Sequence, residues 1–149
     1  MRYQDKIGSK HQIKMTIFSK IIAGQIPCYK IAETNDCLAF LDISPLAKGH
    51  ILVVPKSEID YIFDVPDDLL SNLIVFAKKV AKAQEQVMPC LRIGVAVIGL
   101  EVPHAHIHLI PLNHINDINF SLPKLTVTAG ELQTTASDIS RKYIELYGA

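Results

Sequence analysis

Residues 104–108 read His-Ala-His-Ile-His, three imidazoles at strict alternation inside an apolar run that reaches Leu112. In an extended strand successive side chains point to opposite faces. His104, His106 and His108 therefore share one face, and Ala105, Ile107 and Leu109 share the other. A helix would scatter the same residues around its circumference. Three of the chain's six histidines sit on this one short face, and imidazole can act as nucleophile, general base or metal ligand near neutral pH.

Three readings of that face compete. The first is a passive one, with imidazoles at a wet strand end, but burying three of them without partners costs too much to accumulate by accident. The second is a metal centre, because His-x-His on a strand presents two nitrogens to zinc. Against it, Glu101 is the only acidic residue flanking the triplet. Three same-face positions at a rise of about 3.3 Å per residue also span too far to reach one ion comfortably. The third is nucleophilic catalysis at phosphorus, in which a neutral imidazole forms a covalent phospho-histidine that water cleaves. That chemistry needs an acceptor to fix the nucleophile's tautomer, donors for the phosphoryl oxygens and a proton for the leaving group. Flanking histidines can supply these, so the third reading uses all three residues and is preferred.

The surrounding pattern reads as α+β. Thr16 caps a short helix with Ile17, Phe18, Ile21 and Ile22 on one face and Gly24 as its stop. Strands are expected over 30–34 and 37–43, joined at Asn35-Asp36, and over 50–54, stopped by Pro55. A helix starts between Asp64 and Pro66, carries Leu69, Leu73, Phe76, Ala77 and Val80 at helical spacing, and ends before Pro89. Strands follow over 94–98 and 105–110; with only 99–103 between them, they should form a tight antiparallel pair whose turn cannot fold over the site. Residues 113–127 are irregular. A last helix opens on the capping-box pair Thr128 and Glu131, with Leu132, Ala136, Ile139, Tyr143 and Leu146 as its apolar stripe. Strands come in antiparallel-looking groups with helices between groups, which favours α+β over α/β.

A length of 149 residues suits one domain, and 49% hydrophobic residues suit a folded one. Residues 1–14, with four basic side chains against Asp5 alone, read as a flexible N-terminal extension. Fifteen basic and fifteen acidic residues balance, which removes the electrostatic case for nucleic-acid polymers or membrane surfaces. No stretch is long and apolar enough for a membrane span. Cys28, Cys37 and Cys90 are odd in number and lack CxxC spacing, as expected of buried thiols in a reducing, cytoplasmic setting.

The histidine run with its flanks, 104–111, resembles the signature of the histidine triad (HIT) superfamily. Three upstream blocks resemble other parts of that family: 17–27 (IFSKIIAGQIP) its opening, 38–45 (LAFLDISP) its nucleoside-binding strand, and 49–56 (GHILVVPK) its second signature. Four blocks in order over 15–112 are far more specific than HxHxH alone. The resemblance implies a HIT-like antiparallel sheet of about five strands with flanking helices, in a homodimer whose sheets join. It makes 15–149 one HIT-like domain, with its signature-bearing core at 15–112 and an extension over 113–149. It implies purine-nucleotide binding and hydrolysis or transfer of nucleoside monophosphates from phosphoramidates or dinucleoside polyphosphates. No cofactor is required, zinc being at most adventitious. By position His106 is the nucleophile, His104 and His50 belong to the network that orients it, and His108 contacts phosphate and assists the leaving group. Asp42 matches the ribose-binding carboxylate, and Ile17, Phe18, Ile21, Phe40 and Ile43 match the base pocket. Without the resemblance, those apolar residues would read as plain core and Asp42 as a turn carboxylate.

The chain departs from the family's pattern just before the triad. Val97 stands at the usual Asn, Leu100 at the usual Gln and Glu101 at the usual Ser or Thr. These changes remove polar groups and add a charge that repels phosphate if it faces the site. They leave a second expectation open: a nucleotide-binding regulatory module with little turnover.

Overall fold

The structure, a computed structural model, describes residues 15–149; the expected extension over 1–14 lies outside the described residues. In chain order the elements are α1 (Ile17–Ile22), β1 (Lys30–Glu33), β2 (Cys37–Leu41), β3 (Ile51–Pro55), a 3-10 turn (Ile62–Asp64), α2 (Asp67–Val87), β4 (Arg92–Ala96), β5 (Ile107–Leu112), a second 3-10 turn (Ile115–Ile118) and α3 (Ala129–Tyr147). The strands form one antiparallel sheet in the order β1-β2-β3-β5-β4. This is the expected α+β architecture.

Side-chain alternation divides the sheet into two differently covered faces. Ala39 and Leu41 of β2, Ile51 and Val53 of β3 and Ile107 and Leu109 of β5 pack with Leu73, Phe76 and Val80 of α2 and Leu132, Ala136 and Ile139 of α3. On the other face Leu38, Phe40, Leu52 and Val54 pack against Phe18 of α1. Because both faces are covered, β2 and β3 are buried at every position and read as continuous apolar runs. Register then places the histidines. Phe40 pairs with Leu52, Leu52 with His108, and His108 with Ala96, so His108 lies on the α1 face of the sheet.

Local chemistry sets most element ends. The Thr16 side chain caps α1 by accepting from the Ser19 N–H at 3.0 Å, and Thr128 and Glu131 form the expected capping box of α3. Asp64 falls in the 3-10 turn, and α2 starts behind Pro66, with Asp67 and Asp68 at its positive end. Gly49, at φ +89°, turns the chain into β3 in a conformation that side chains disfavour, and a Cβ there would lie 2.7 Å from the Met88 side chain.

The last two strands correct the sequence-based expectation. β4 ends at Ala96 and β5 begins at Ile107, so the connection is 97–106 and no tight hairpin forms. The backbone explains the displacement: the His104 N–H bonds to Val102 O at 2.8 Å and the Ala105 N–H to Ile59 O at 2.7 Å, so neither enters the ladder. The longer connection lies against the histidine face, contrary to the expectation that it could not reach it.

Candidate active site

A cavity of about 510 Å³ opens on the α1 face of the sheet. Ile17, Phe18 and Ile21 reach it from α1, and Phe40, Asp42 and Ile43 from the end of β2 and the turn beyond. His50 enters just before β3, His106 just before β5 and His108 from the start of β5. Nine of the ten residues singled out in the sequence therefore meet in one cavity. His104 does not line it: fully buried, it sits behind, its ring 5.8 Å from that of Phe18. A larger, shallower groove of about 790 Å³, lined by Lys48, Pro89, Asp117 and the first turns of α3, has no histidine on its walls.

Backbone partners fix the tautomer of each imidazole, since a carbonyl only accepts and an N–H only donates. His106 donates Nδ1–H to the His104 carbonyl at 2.7 Å, which leaves Nε2 with the lone pair. His50 Nδ1 accepts the Leu46 N–H at 3.1 Å, so its proton is on Nε2. His50 Nε2–H then donates to His108 Nδ1 at 2.9 Å, which puts the proton of His108 on its own Nε2. His104 donates Nε2–H to the Pro55 carbonyl at 2.8 Å, and its Nδ1 accepts from Thr16 Oγ1 at 3.1 Å. One face thus offers a bare nitrogen on His106 beside an N–H on His108, the two rings 4.9 Å apart.

Electrostatics keep these rings neutral. Burial holds the pKa of His50 down to about 3 and that of His108 to about 4, each lowered further by neighbouring histidines and by Lys124. Burial also lowers His104 and His106. Asp42 shifts the other way, its carboxyl pushed up by burial despite a 2.9 Å hydrogen bond from the Ser44 N–H. Its Oδ2 lies 3.8 Å from His50 Nε2.

Asp42, His50 and His108 bring ligand-type atoms within 4.8 Å of one another. Their hydrogen bonds do not fit a resident metal. His50 would have to ligate through Nε2, but that nitrogen carries the proton because Nδ1 already accepts from Leu46. Moving the proton would set an imidazole N–H against a backbone N–H.

The sequence reading missed six contributors. Gln84 of α2, fully buried, donates to the carbonyls of Gly49 and Leu109 at 2.8 and 2.9 Å, tying the backbones that carry His50 and His108. Beyond capping α1, Thr16 contacts His104, and Ser19 links that ring to Glu58: Ser19 Oγ donates to Glu58 Oε1 at 2.9 Å and lies 3.4 Å from His104 Nδ1. Burial alone would raise the Glu58 carboxyl, but hydrogen bonds from Thr16 and Ser19 hold it below its usual range. Phe120 packs its ring 4.8 Å from His108 and 6.4 Å from His50, and Lys124 joins it on the cavity wall. The connection 97–106 adds Ile98, Leu100, Glu101 and Val102. Glu101 was expected to repel phosphate if it faced the site, and it lines the cavity.

The chain is similar to known proteins along most of its length. The HIT domain family model matches residues 23–115. Adenosine 5'-monophosphoramidase hnt1 of Schizosaccharomyces pombe is 35% identical over 128 residues, covering 85% of this chain and 96% of that protein. Protein hit of Bacillus subtilis is 38% identical over 109 residues, 68% of this chain and 73% of its own length. Among solved structures, a HIT family member from Bacillus subtilis matches with a TM-score of 0.67 at 32% identity, over 86% of this chain and 96% of that one. A Hit-like protein from Bartonella henselae matches with a TM-score of 0.75 at 29% identity, over 85% and 95% of the two chains. The family model spans the alternating histidines and the blocks 38–45 and 49–56 upstream of them, and the chain belongs to the HIT domain family.

Proposed function

We propose that the protein is a nucleotide hydrolase or nucleotidyl transferase of the HIT type, cleaving purine nucleoside phosphoramidates or dinucleoside polyphosphates through a covalent nucleotidyl-His106. The observation that carries this reading is the hydrogen bond from His106 Nδ1 to the His104 carbonyl, which aims a neutral, lone-pair Nε2 at an apolar cavity with Asp42 on its wall. One relative described above is named for adenosine 5'-monophosphoramidase activity, which agrees with it.

The residues divide the work by chemistry. Ile17, Phe18, Ile21, Phe40 and Ile43 offer an apolar slot for a planar base, and the Asp42 carboxylate suits the ribose hydroxyls. His108 Nε2–H donates to the phosphoryl group and to the leaving atom. His106 Nε2 attacks phosphorus while the bond to the leaving group breaks: a phosphoramidate nitrogen protonated from solvent departs as the neutral amine, and a polyphosphate oxygen departs as the anion. Water then attacks the nucleotidyl-imidazole, loses its proton to solvent and releases the nucleoside monophosphate and free His106. His104, held by Pro55, Thr16 and Ser19, acts through its carbonyl by fixing the tautomer of His106. His50 does the same for His108.

The sheet edges support assembly as a homodimer. α3 packs beside β1, whereas β4 is the other edge strand and leaves Leu91, Val95 and Val97 exposed. An open apolar edge of this kind is suited to pairing with a second copy about a two-fold axis. No helix among the described residues is long and apolar enough to cross a membrane, and the free thiols Cys28, Cys37 and Cys90 fit a reducing cytoplasm.

The deciding experiment is turnover of adenosine 5'-phosphoramidate by the full chain, with rapid acid-free quenching and mass analysis for a nucleotidylated peptide. Turnover with the label on His106 supports the reading; binding of the nucleotide without turnover or label supports the regulatory-module reading, which Glu101 in the cavity favours. A second test addresses Asp42. Asp42→Ala should weaken AMP by about 10-fold or more, since a hydrogen bond to a charged group contributes roughly 1.5–3 kcal/mol, yet should weaken 2′-deoxy-AMP much less. Equal losses in calorimetric titration would show that Asp42 acts only on the turn it caps.

A further inference from the structure

Ahead of the histidines, residues 98–102 give the cavity apolar side chains and one carboxylate, and the four histidines are bound up in hydrogen bonds as neutral rings. Asp42 and Glu101 add negative charge. Lys124 is the one lysine or arginine among the residues lining the cavity. A phosphoryl anion therefore finds its positive charge on a part of the chain that follows the triad.

The segment carrying Lys124 is held in place. Asn119 Oδ1 accepts from the Ser121 N–H at 3.0 Å and from Ser121 Oγ at 2.6 Å, and the Leu122 N–H bonds to Asn119 O at 3.2 Å, closing a turn. Farther on, the Leu125 N–H bonds to Pro45 O at 2.8 Å, tying the segment to the loop between Asp42 and His50. Between these anchors the Lys124 ammonium donates to the Phe120 carbonyl at 3.3 Å and lies 5.2 Å from the centre of the Phe120 ring. Phe120 itself rests against His108. Among the described residues no carboxylate pairs with Lys124, and its side chain is exposed. It is thus a free cation held beside a pair of neutral imidazoles. Its charge is felt at Asp42, His50 and His108, whose protonation it disfavours.

We infer that Lys124, braced by Phe120, forms an anion subsite at the His108 end of the cavity and binds the phosphoryl group of a nucleotide. This rests on the nucleotide reading and adds what recognises the charge. Phe120 covers one side of the His50–His108 pair, so a phosphate seated there exchanges water for Lys124 on one side and the His108 N–H on the other. Selection for phosphorylated over unphosphorylated nucleosides then comes from the segment after the triad.

The test compares AMP with adenosine, which share base and ribose and differ in the anion. Affinities are measured by calorimetry on the full chain for wild type, Lys124→Ala and Lys124→Arg, with thermal melts to confirm folding. Lys124→Ala should weaken AMP by about 10-fold or more, the scale of one lost charged hydrogen bond, and leave adenosine within about twofold. Lys124→Arg should restore most of the AMP affinity. Added salt should erode the preference for AMP in wild type and leave the alanine variant nearly unchanged. If both ligands bind wild type and Lys124→Ala leaves AMP unaltered, or weakens the two equally, the subsite is overturned while the nucleotide reading stands. If neither ligand binds wild type, the nucleotide reading falls and the subsite falls with it.

Discussion

Replacing His106 by alanine is expected to leave the protein folded and to lower turnover of adenosine 5'-phosphoramidate by about two orders of magnitude or more, because in the proposed mechanism His106 is the covalent nucleophile and no other group can take its place. The neighbours make substitution by a second histidine implausible on geometric grounds. His108 Nδ1 is taken up by His50 at 2.9 Å, and its Nε2 carries the proton. His104 lies behind His106, fully buried, with both nitrogens engaged. Steady-state kinetics with a matched melting curve check the prediction. The loss should appear in kcat, with AMP affinity changed little, since the proposed base and ribose contacts lie elsewhere. An alanine variant that retained near-wild-type hydrolysis would remove His106 from the chemistry.

The candidate site was legible where residue type and spacing act together. Alternating histidines could share a face only in an extended segment, and the apolar blocks around Phe18 and Phe40 carried enough order to be read in register. Ends of elements were less legible because tertiary hydrogen bonds set them. The sequence placed a strand over 105–110, whereas Val102 O and Ile59 O take the N–H groups of His104 and Ala105, so β5 starts at Ile107. The same displacement turned an expected tight hairpin into a ten-residue connection along the cavity, 97–106. Thr16 reads as a helix cap and is one, but nothing local shows that its hydroxyl also meets His104 across 88 positions. Glu58 and Ser19 are likewise ordinary surface residues until the fold joins them. Phe120 and Lys124 lie in a stretch without periodicity, where sequence carries no signal for which side chain turns inward.

Ending the chain after Asn113 is expected to cost most of the stability and, through that and through the site, nearly all turnover. α3 buries Leu132, Ala136 and Ile139 against the α2 side of the sheet core. Truncating Leu132 or Ile139 to alanine costs about 2–5 kcal/mol, whereas a whole domain of this size holds only about 5–15 kcal/mol. Removal of three together leaves Leu73, Phe76 and Val80 of α2 facing water, so the truncated chain should melt near or below ambient temperature, as circular dichroism would show. Truncation also deletes Phe120 and Lys124, and a point variant separates the two effects. Ile139→Ala weakens the packing of α3 and leaves the cavity wall intact. It should lower the melting temperature while AMP affinity at low temperature stays within about twofold of wild type, since the site lies across the sheet from the lost contacts. A truncated protein that melted like the full chain and hydrolysed substrate at the full rate would show that neither α3 nor the segment before it serves the fold or the site.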